Sequence, residues 1–256
     1  MNLLLSLRSE IKKTKRTAAF YFTFIGAGIV PAIFLISIIG HDLPEKEKTA
    51  KDPINAIFKI SSEMTSLCIL PLFVVLLCTL LPQIEFRNNT WKQVLSSPQK
   101  KIEIYIAKFL NIQALIILFL IANHLFLWIV ILVAHVVFPH YHILSHSFDF
   151  SGAIATGWHA YISVLAISTI QFWIGLRARN FLIPIAIGLA CWLAGTIMLF
   201  EYHSSASLYF PYCFPIIRFS DTFRPQVPQV EWLCLAYATI VLAIGFLDFR
   251  SRKMAR

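Results

Sequence analysis

The chain has 256 residues, of which 58% are hydrophobic and 14% are charged, and its formal net charge is +9. A soluble domain of this composition would expose a large apolar surface, so the composition indicates a membrane protein and leaves no length for a soluble catalytic domain. The basic excess does not indicate nucleic-acid binding, because the Lys and Arg residues flank apolar segments.

Six apolar stretches contain no Asp, Glu, Lys or Arg, and about 20 apolar residues suffice for a helix to cross the hydrocarbon core. The sequence therefore predicts an all-α fold: a polytopic membrane protein with six transmembrane helices in one domain, 1–256. The stretches contain no acid–base relay of the kind that ion-driven transport requires. The predicted spans are 18–40, 64–84, 110–138, 155–176, 181–200 and 232–248.

The basic residues are distributed unevenly between the segments that alternate across these spans. Of the 22 Lys and Arg residues, 16 fall in the set that includes both termini, and 6 fall in the other set. Because loops rich in Lys and Arg stay in the cytoplasm, we predict that both termini are cytoplasmic. Attraction to anionic lipid headgroups is an expected second effect, so membrane lipid is a predicted partner and nucleic acid is not.

The first 17 residues combine an apolar helical face with a cluster of positive charge. We predict that 1–17 form an amphipathic helix at the inner membrane interface. The alternative is a basic flank that only sets the topology. The apolar face would hold Leu3, Leu4, Leu7 and Ile11, and the basic residues are Lys12, Lys13, Lys15 and Arg16.

The inner connection between the second and third spans, 85–98, predicts a short amphipathic helix. Trp91, Val94 and Leu95 would form its apolar face, and Pro98 would end it. A helix of this kind with an exposed Trp can dock into a groove of a soluble partner, since buried aromatic anchors dominate many interfaces. The alternative is a surface helix that lies on lipid.

Three polar residues lie within the predicted spans. Asn123 and His124 belong to the third span, and Gln171 belongs to the fourth. Either they form hydrogen bonds between helices, as polar residues in membranes commonly do, or they contact a substrate inside a cavity. The second possibility makes them candidates for a substrate path.

Histidines cluster after the third span, on the predicted outer side. His135, His140, His142 and His146 have a spacing that matches no common zinc motif, and Asp149 is the nearest carboxylate. We therefore predict no metal site. This cluster would be the basis of an alternative function, that of an integral membrane enzyme or a metal-handling protein.

The outer segment 201–231 is too apolar to be a simple loop. Its part 208–217 is aromatic and interrupted by Pro, which predicts short, re-entrant-like helices before the last span. These would serve either as an interfacial anchor or as a lid over an exit path. The first outer connection, 41–63, is charged and has no predicted role.

The chain contains no GxxxxGK[ST] loop that could bind ATP, so it is not predicted to be an enzyme. With no ion relay either, a transport function would take its energy from a separate subunit.

Two motifs resemble the ABC-2-type transporter permeases, in particular their lantibiotic-immunity and bacitracin-export branch. One is the sequence LRSEIKKTKR at 7–16, directly before the first span. The other is the pattern E-x4-T-W-x3-L-x2-P followed by a Lys. It is formed by Glu85, Thr90, Trp91, Lys92, Leu95, Pro98 and Lys108.

The resemblance implies that 85–98 is the coupling helix that meets an ATPase subunit, which would bind ATP and magnesium. Its implied contact residues are Glu85, Thr90, Trp91, Lys92, Val94, Leu95 and Pro98. A second permease protomer would complete the assembly in the bacterial inner membrane. The implied function is export of an amphipathic peptide, an antibiotic or a lipid-like substrate.

Overall fold

The computed structural model describes residues 3–40, 52–88, 90–91, 99–139, 142–220 and 222–251. All regular elements within these residues are helical, which confirms the predicted all-α fold. The α-helices are α1 (Leu3–Thr14), α2 (Ala18–Ile39), α3 (Pro53–Met64), α4 (Leu70–Arg87), α5 (Lys101–Val137), α6 (Phe150–Arg177), α7 (Leu182–Phe200), α8 (Phe214–Ile217) and α9 (Val227–Ser251). A π-helical turn, Thr65–Ile69, joins α3 to α4.

Six helical runs of the described chain are long and apolar enough to cross a membrane, which confirms the predicted number. They are Ala18–Ile39, Pro53–Arg87, Lys101–Val137, Phe150–Arg177, Leu182–Phe200 and Arg224–Ser251.

The second span begins earlier than predicted, because α3, the π turn and α4 form one helical run. Asp52 caps α3: its carboxylate accepts hydrogen bonds from the Asn55 backbone N–H at 3.4 Å and the Asn55 side-chain amide at 2.9 Å. Pro53 occupies the first helical position, where a missing N–H costs nothing. Residues 53–63 of the predicted outer connection are therefore helical, and 41–51 lie outside the described residues.

The third span is also longer than predicted. Helix α5 has 37 residues and a length of about 55 Å at 1.5 Å per residue, well beyond the hydrocarbon thickness. Its additional residues, from Lys101, precede the predicted start at 110. The extra helix therefore projects from the predicted inner side and can support the segment before it.

Helix α5 packs against α1, α2, α4, α6 and α9. The Phe73 ring of α4 stacks on the Phe119 ring of α5 with 4.5 Å between centroids. Gly26 of α2 faces Phe119, where a Cβ would lie 3.2 Å from its ring. Helix α6 packs against both α4 and α9. The inner ends of α4, α5, α6 and α9 are thereby brought together.

The segment before the last span contains short helices, as predicted, with residue 221 outside the described part. Ser205–Tyr209, Pro211–Cys213 and Arg224–Gln226 are 3-10 helices, and α8 lies between the last two. Residues 211–217 are all buried. The Tyr212 hydroxyl accepts a 2.7 Å hydrogen bond from the Gln171 amide. This part packs inside the bundle instead of anchoring at the lipid interface.

Candidate functional site

A cluster of four charges, with a buried pair at its centre and Lys13 exposed at its edge, connects α1 to the inner ends of α4 and α5. Lys108 lies 3.0 Å from a Glu10 carboxylate oxygen and is in direct contact with Glu85. Lys13 lies 2.8 Å from Glu10 and 3.7 Å from Glu85. Glu85 is 2% exposed and Lys108 is 5% exposed. We call these residues the inner ion cluster. With two carboxylates and two ammonium groups it has no net charge, as a buried ionic group requires.

The polar face of α1 makes this contact. Ser6, Glu10 and Thr14 recur every four residues and therefore lie on one side of the helix. The Asn111 amide of α5 donates a 2.7 Å hydrogen bond to the Thr14 hydroxyl. Leu4, on the opposite side, remains exposed. Of the predicted apolar face, Leu3 and Leu4 are exposed and Leu7 and Ile11 are half-buried, and its contact with lipid stays a prediction. The docking of the polar face on α5 was not predicted.

Trp91 packs against its own chain. The Trp91 ring centroid lies 5.4 Å from that of Phe86 and 6.1 Å from that of Phe249, near the end of α9. The Lys108 ammonium lies 5.6 Å from the Trp91 ring centroid, within the range of a cation–π contact. The ring is half-buried, whereas the sequence suggested an exposed anchor. Trp91 therefore connects the start of the predicted coupling segment to α4, α5 and α9.

The remaining predicted contact residues are only partly described. Glu85 lies inside α4, so the predicted segment 85–98 begins within a spanning run. Its buried carboxylate contacts Lys108 within the inner ion cluster and does not reach the surface. The Thr90 backbone N–H donates to the Glu85 carbonyl oxygen at 3.0 Å. Lys92, Val94, Leu95 and Pro98 lie outside the described residues.

The inner ends of α6 and α9 are also joined. Asp248 of α9 accepts a 3.2 Å hydrogen bond from the Trp173 indole and lies 3.3 Å from the Arg177 guanidinium. Gln83 of α4 donates a 2.7 Å hydrogen bond to the carbonyl oxygen of Ala178, which ends α6. A displacement at the segment after α4 would therefore act on several helices.

The polar residues of the spans engage different elements. Asn123 donates to the Ala27 carbonyl oxygen of α2 at 2.9 Å and lies 3.4 Å from the Thr65 hydroxyl. Gln171 contacts Tyr212, and a His124 ring nitrogen lies 2.7 Å from the Leu120 carbonyl oxygen. The contacts of Asn123 and Gln171 agree with hydrogen bonding between elements, whereas the His124 contact lies within α5. A role of these residues in a substrate path stays a prediction.

The outer histidines do not form a recognisable ligand set. His142 has a left-handed backbone, and His146 lies 3.3 Å from its carbonyl oxygen. His140 lies outside the described residues. Among the residues described, no three His, Cys, Asp or Glu side chains are grouped closely enough to hold a metal ion. The alternative of a metal-handling protein therefore gains no support from this region.

We expect the docking of α1 to be strongest between the pKa values of Glu10 and Lys13. Burial favours the neutral carboxyl, but Lys108 and Lys13 outweigh it and lower the pKa of Glu10 below its ordinary 4.5. Burial also opposes the Lys13 charge, but Glu10 and Glu85 raise the pKa of Lys13 above 10.5. Stabilisation by Glu10 is lost as the pH falls through its lowered pKa, and stabilisation by Lys13 is lost as the pH rises through its raised pKa.

This dependence can be measured as the apparent unfolding temperature of the detergent-solubilised chain against pH. The Glu10→Gln variant should lose part of the wild-type decline below pH 4.5. The matched variant Glu201→Gln, at an exposed position, should keep it. Identical acid profiles for Glu10→Gln and the wild type would contradict the assigned role of Glu10.

Comparison with known families identifies the larger part of the chain. A family model described as ABC-2 family transporter protein matches residues 6–195. The matched stretch includes the inner ion cluster, Trp91 and the connection that follows α4, and it ends within α7. A comparison with curated proteins gives no match.

Proposed function

Since the chain belongs to the ABC-2 family of transporter proteins, we propose that it is the membrane-spanning permease subunit of an ATP-driven exporter. The family is a membrane component of transport and not itself an enzyme, and in general it implies an ABC ATPase partner. The ATPase would bind ATP and magnesium. Two permease protomers, identical or related, would pair across the bacterial inner membrane.

The observation that carries this proposal is the position of Trp91. Its ring packs on Phe86 and Phe249 and faces Lys108, at the point where the chain leaves α4. A soluble subunit that pushes on 85–98 would therefore move α4, α5 and α9 together. Glu85 would act by holding α4 on α5, because its buried carboxylate does not reach the surface.

The proposed substrate is an amphipathic peptide, an antibiotic or a lipid-like molecule that leaves the cell or the membrane. Apolar spans with few polar side chains suit such molecules better than small ions. Export of this kind would protect the cell from the exported compound, which would give antibiotic resistance.

The proposal is tested by co-expressing the chain with an ATPase encoded by an adjacent reading frame and purifying the complex in detergent. We expect the ATPase to co-purify and the double variant Trp91→Ala, Leu95→Ala to lower coupled ATP hydrolysis about tenfold or more, as for loss of an aromatic hot spot. Trp158→Ala, at an exposed position of α6, is the matched control. Absence of any co-purified ATPase, with export unchanged in the double variant, would refute the proposal.

A further inference from the structure

A cavity of about 900 Å³ opens between α3, α6 and α9. The helices that surround it all begin on the predicted outer side, and α8 with the residues after it completes the wall. Its volume is at the upper end of the range for ligand sites. The residues from α8 and α9 lie beyond the stretch that matches the ABC-2 family model.

Two side-chain contacts between α6 and α9 indicate the depth of the cavity in the membrane. His159 contacts Glu231, which lines the cavity, and Arg177 lies 3.3 Å from Asp248 at the inner end. Helix α6 rises about 27 Å from His159 to Arg177 at 1.5 Å per residue, close to the thickness of the hydrocarbon core. The His159–Glu231 contact therefore lies near the outer edge of the hydrocarbon. The part of the cavity above it lies at the level of the outer lipid headgroups.

The cavity presents charges of both signs that have no partner among the described residues. The side chains of Lys59, Glu63, Arg218 and Arg224 line it and form no hydrogen bond or ion pair within the described residues. Two further carboxylates at the cavity, those of Asp52 and Asp149, are already used as helix caps. A ligand that is only anionic would leave Glu63 unmatched, and a ligand that is only cationic would leave the three basic side chains unmatched.

Apolar side chains and an unsatisfied hydroxyl complete the lining. Phe58, Phe214 and Val230 contribute apolar surface to the same cavity. Ser62 is 5% exposed, lines the cavity, and its hydroxyl has no hydrogen-bond partner among the described residues. The cavity also reaches Ser66 in the π-helical turn, and such turns frequently occur at functional sites.

We propose that this cavity binds the headgroup of a zwitterionic phospholipid from the outer leaflet. Glu63 and Glu231 accept hydrogen bonds from its primary ammonium group. Arg218 and Arg224 bind its phosphate, since guanidinium groups match phosphate oxygens in geometry and charge. The first carbons of the acyl chains contact the apolar wall. This inference rests on the proposed function only in its link to transport of a lipid-like molecule. Binding of the lipid would be a property of this chain alone and needs no ATPase.

The test is equilibrium binding of short-chain lipids to the purified full chain in detergent, without an ATPase. We expect dihexanoyl phosphatidylethanolamine to bind at least about tenfold more tightly than two analogues. Phosphatidylcholine lacks N–H donors, and phosphatidylglycerol lacks the cation. Each analogue therefore loses the hydrogen bonds to the carboxylates and keeps the phosphate contacts. Free phosphoethanolamine should bind more weakly than the lipid. Equal affinity for the three lipids, or equal binding of phosphoethanolamine, would overturn the proposal.

Substitutions of lining residues test whether the lipid binds in this cavity. Glu63→Gln and Arg218→Gln should each weaken phosphatidylethanolamine binding about tenfold. The exposed positions Glu201→Gln and Arg179→Gln, which do not line the cavity, serve as matched controls. If one cavity variant fails to fold, the other variant and the lipid comparison still decide the result. Unchanged binding in the folded cavity variants would reject the site. An ATPase that still co-purifies with Glu63→Gln would show that rejection of the lipid site leaves the proposed function intact.

Discussion

Replacement of Lys108 by alanine is expected to destabilise the protein by about 3–5 kcal/mol, as when a buried ion pair loses one partner. Lys108 is the shared partner of Glu10 and Glu85, so its removal leaves two buried carboxylates with only Lys13 nearby. One Glu85 carboxylate oxygen has no hydrogen-bond partner among the described residues even in the native protein. The change should therefore lower the apparent unfolding temperature and release α1 from α5.

The control for this prediction is the triple variant Glu10→Gln, Glu85→Gln, Lys108→Met. It removes every charge of the cluster except that of the exposed Lys13 and should regain much of the lost stability, since neutral replacement of a buried ion group is often tolerated. The exposed variant Lys12→Ala should unfold like the wild type. Limited proteolysis of α1 gives a second readout. A Lys108→Ala protein that unfolds at the wild-type temperature, with α1 still protected, would contradict the assigned role of the cluster.

Membrane spans were predictable because their signal is local. A charge-free stretch of about 20 apolar residues has few alternatives to a spanning helix. The helix ends were less predictable, since hydropathy reports contact with lipid whereas a helix continues until a capping residue ends it. For α3 the capping signal is Asp52 followed by Pro53. The hydropathy pattern does not indicate a helix start there, because the surrounding residues are charged.

The site was only partly predictable, because its contacts join distant parts of the chain. Glu85 and Lys108 both belong to a recognisable pattern, but they are 23 residues apart and their contact depends on how α4 packs on α5. Glu10 is 98 residues from Lys108. The amphipathic pattern around Trp91 predicted an exposed anchor for a soluble partner, whereas the ring is half-buried within its own chain. The sequence could not show that Phe86 and Phe249 pack against this ring.

Gly175 of α6 packs directly against the backbone of α4, and Gly175→Ala is expected to destabilise the protein by about 2 kcal/mol or more through overpacking. A Cβ there would clash with the Cys78 carbonyl oxygen and would lie 3.4 Å from the Cys78 carbonyl carbon. These are backbone atoms of α4, so no side chain can turn away to make space. Small residues at such positions let membrane helices approach each other.

The matched control is Gly28→Ala, where a Cβ would lie 3.6 Å from the nearest atoms, those of the Phe126 ring. Alanine there should be neutral or stabilising, because glycine inside a helix costs about 1 kcal/mol relative to alanine. The two variants make the same chemical change, so the difference between their apparent unfolding temperatures isolates the α4–α6 contact. Because α4 leads directly to Trp91, Gly175→Ala should also reduce coupled ATP hydrolysis in the complex, whereas Gly28→Ala should not. Equal unfolding temperatures would mean that α4 and α6 can separate at little cost, and the inner ends of these helices would then not move as a unit.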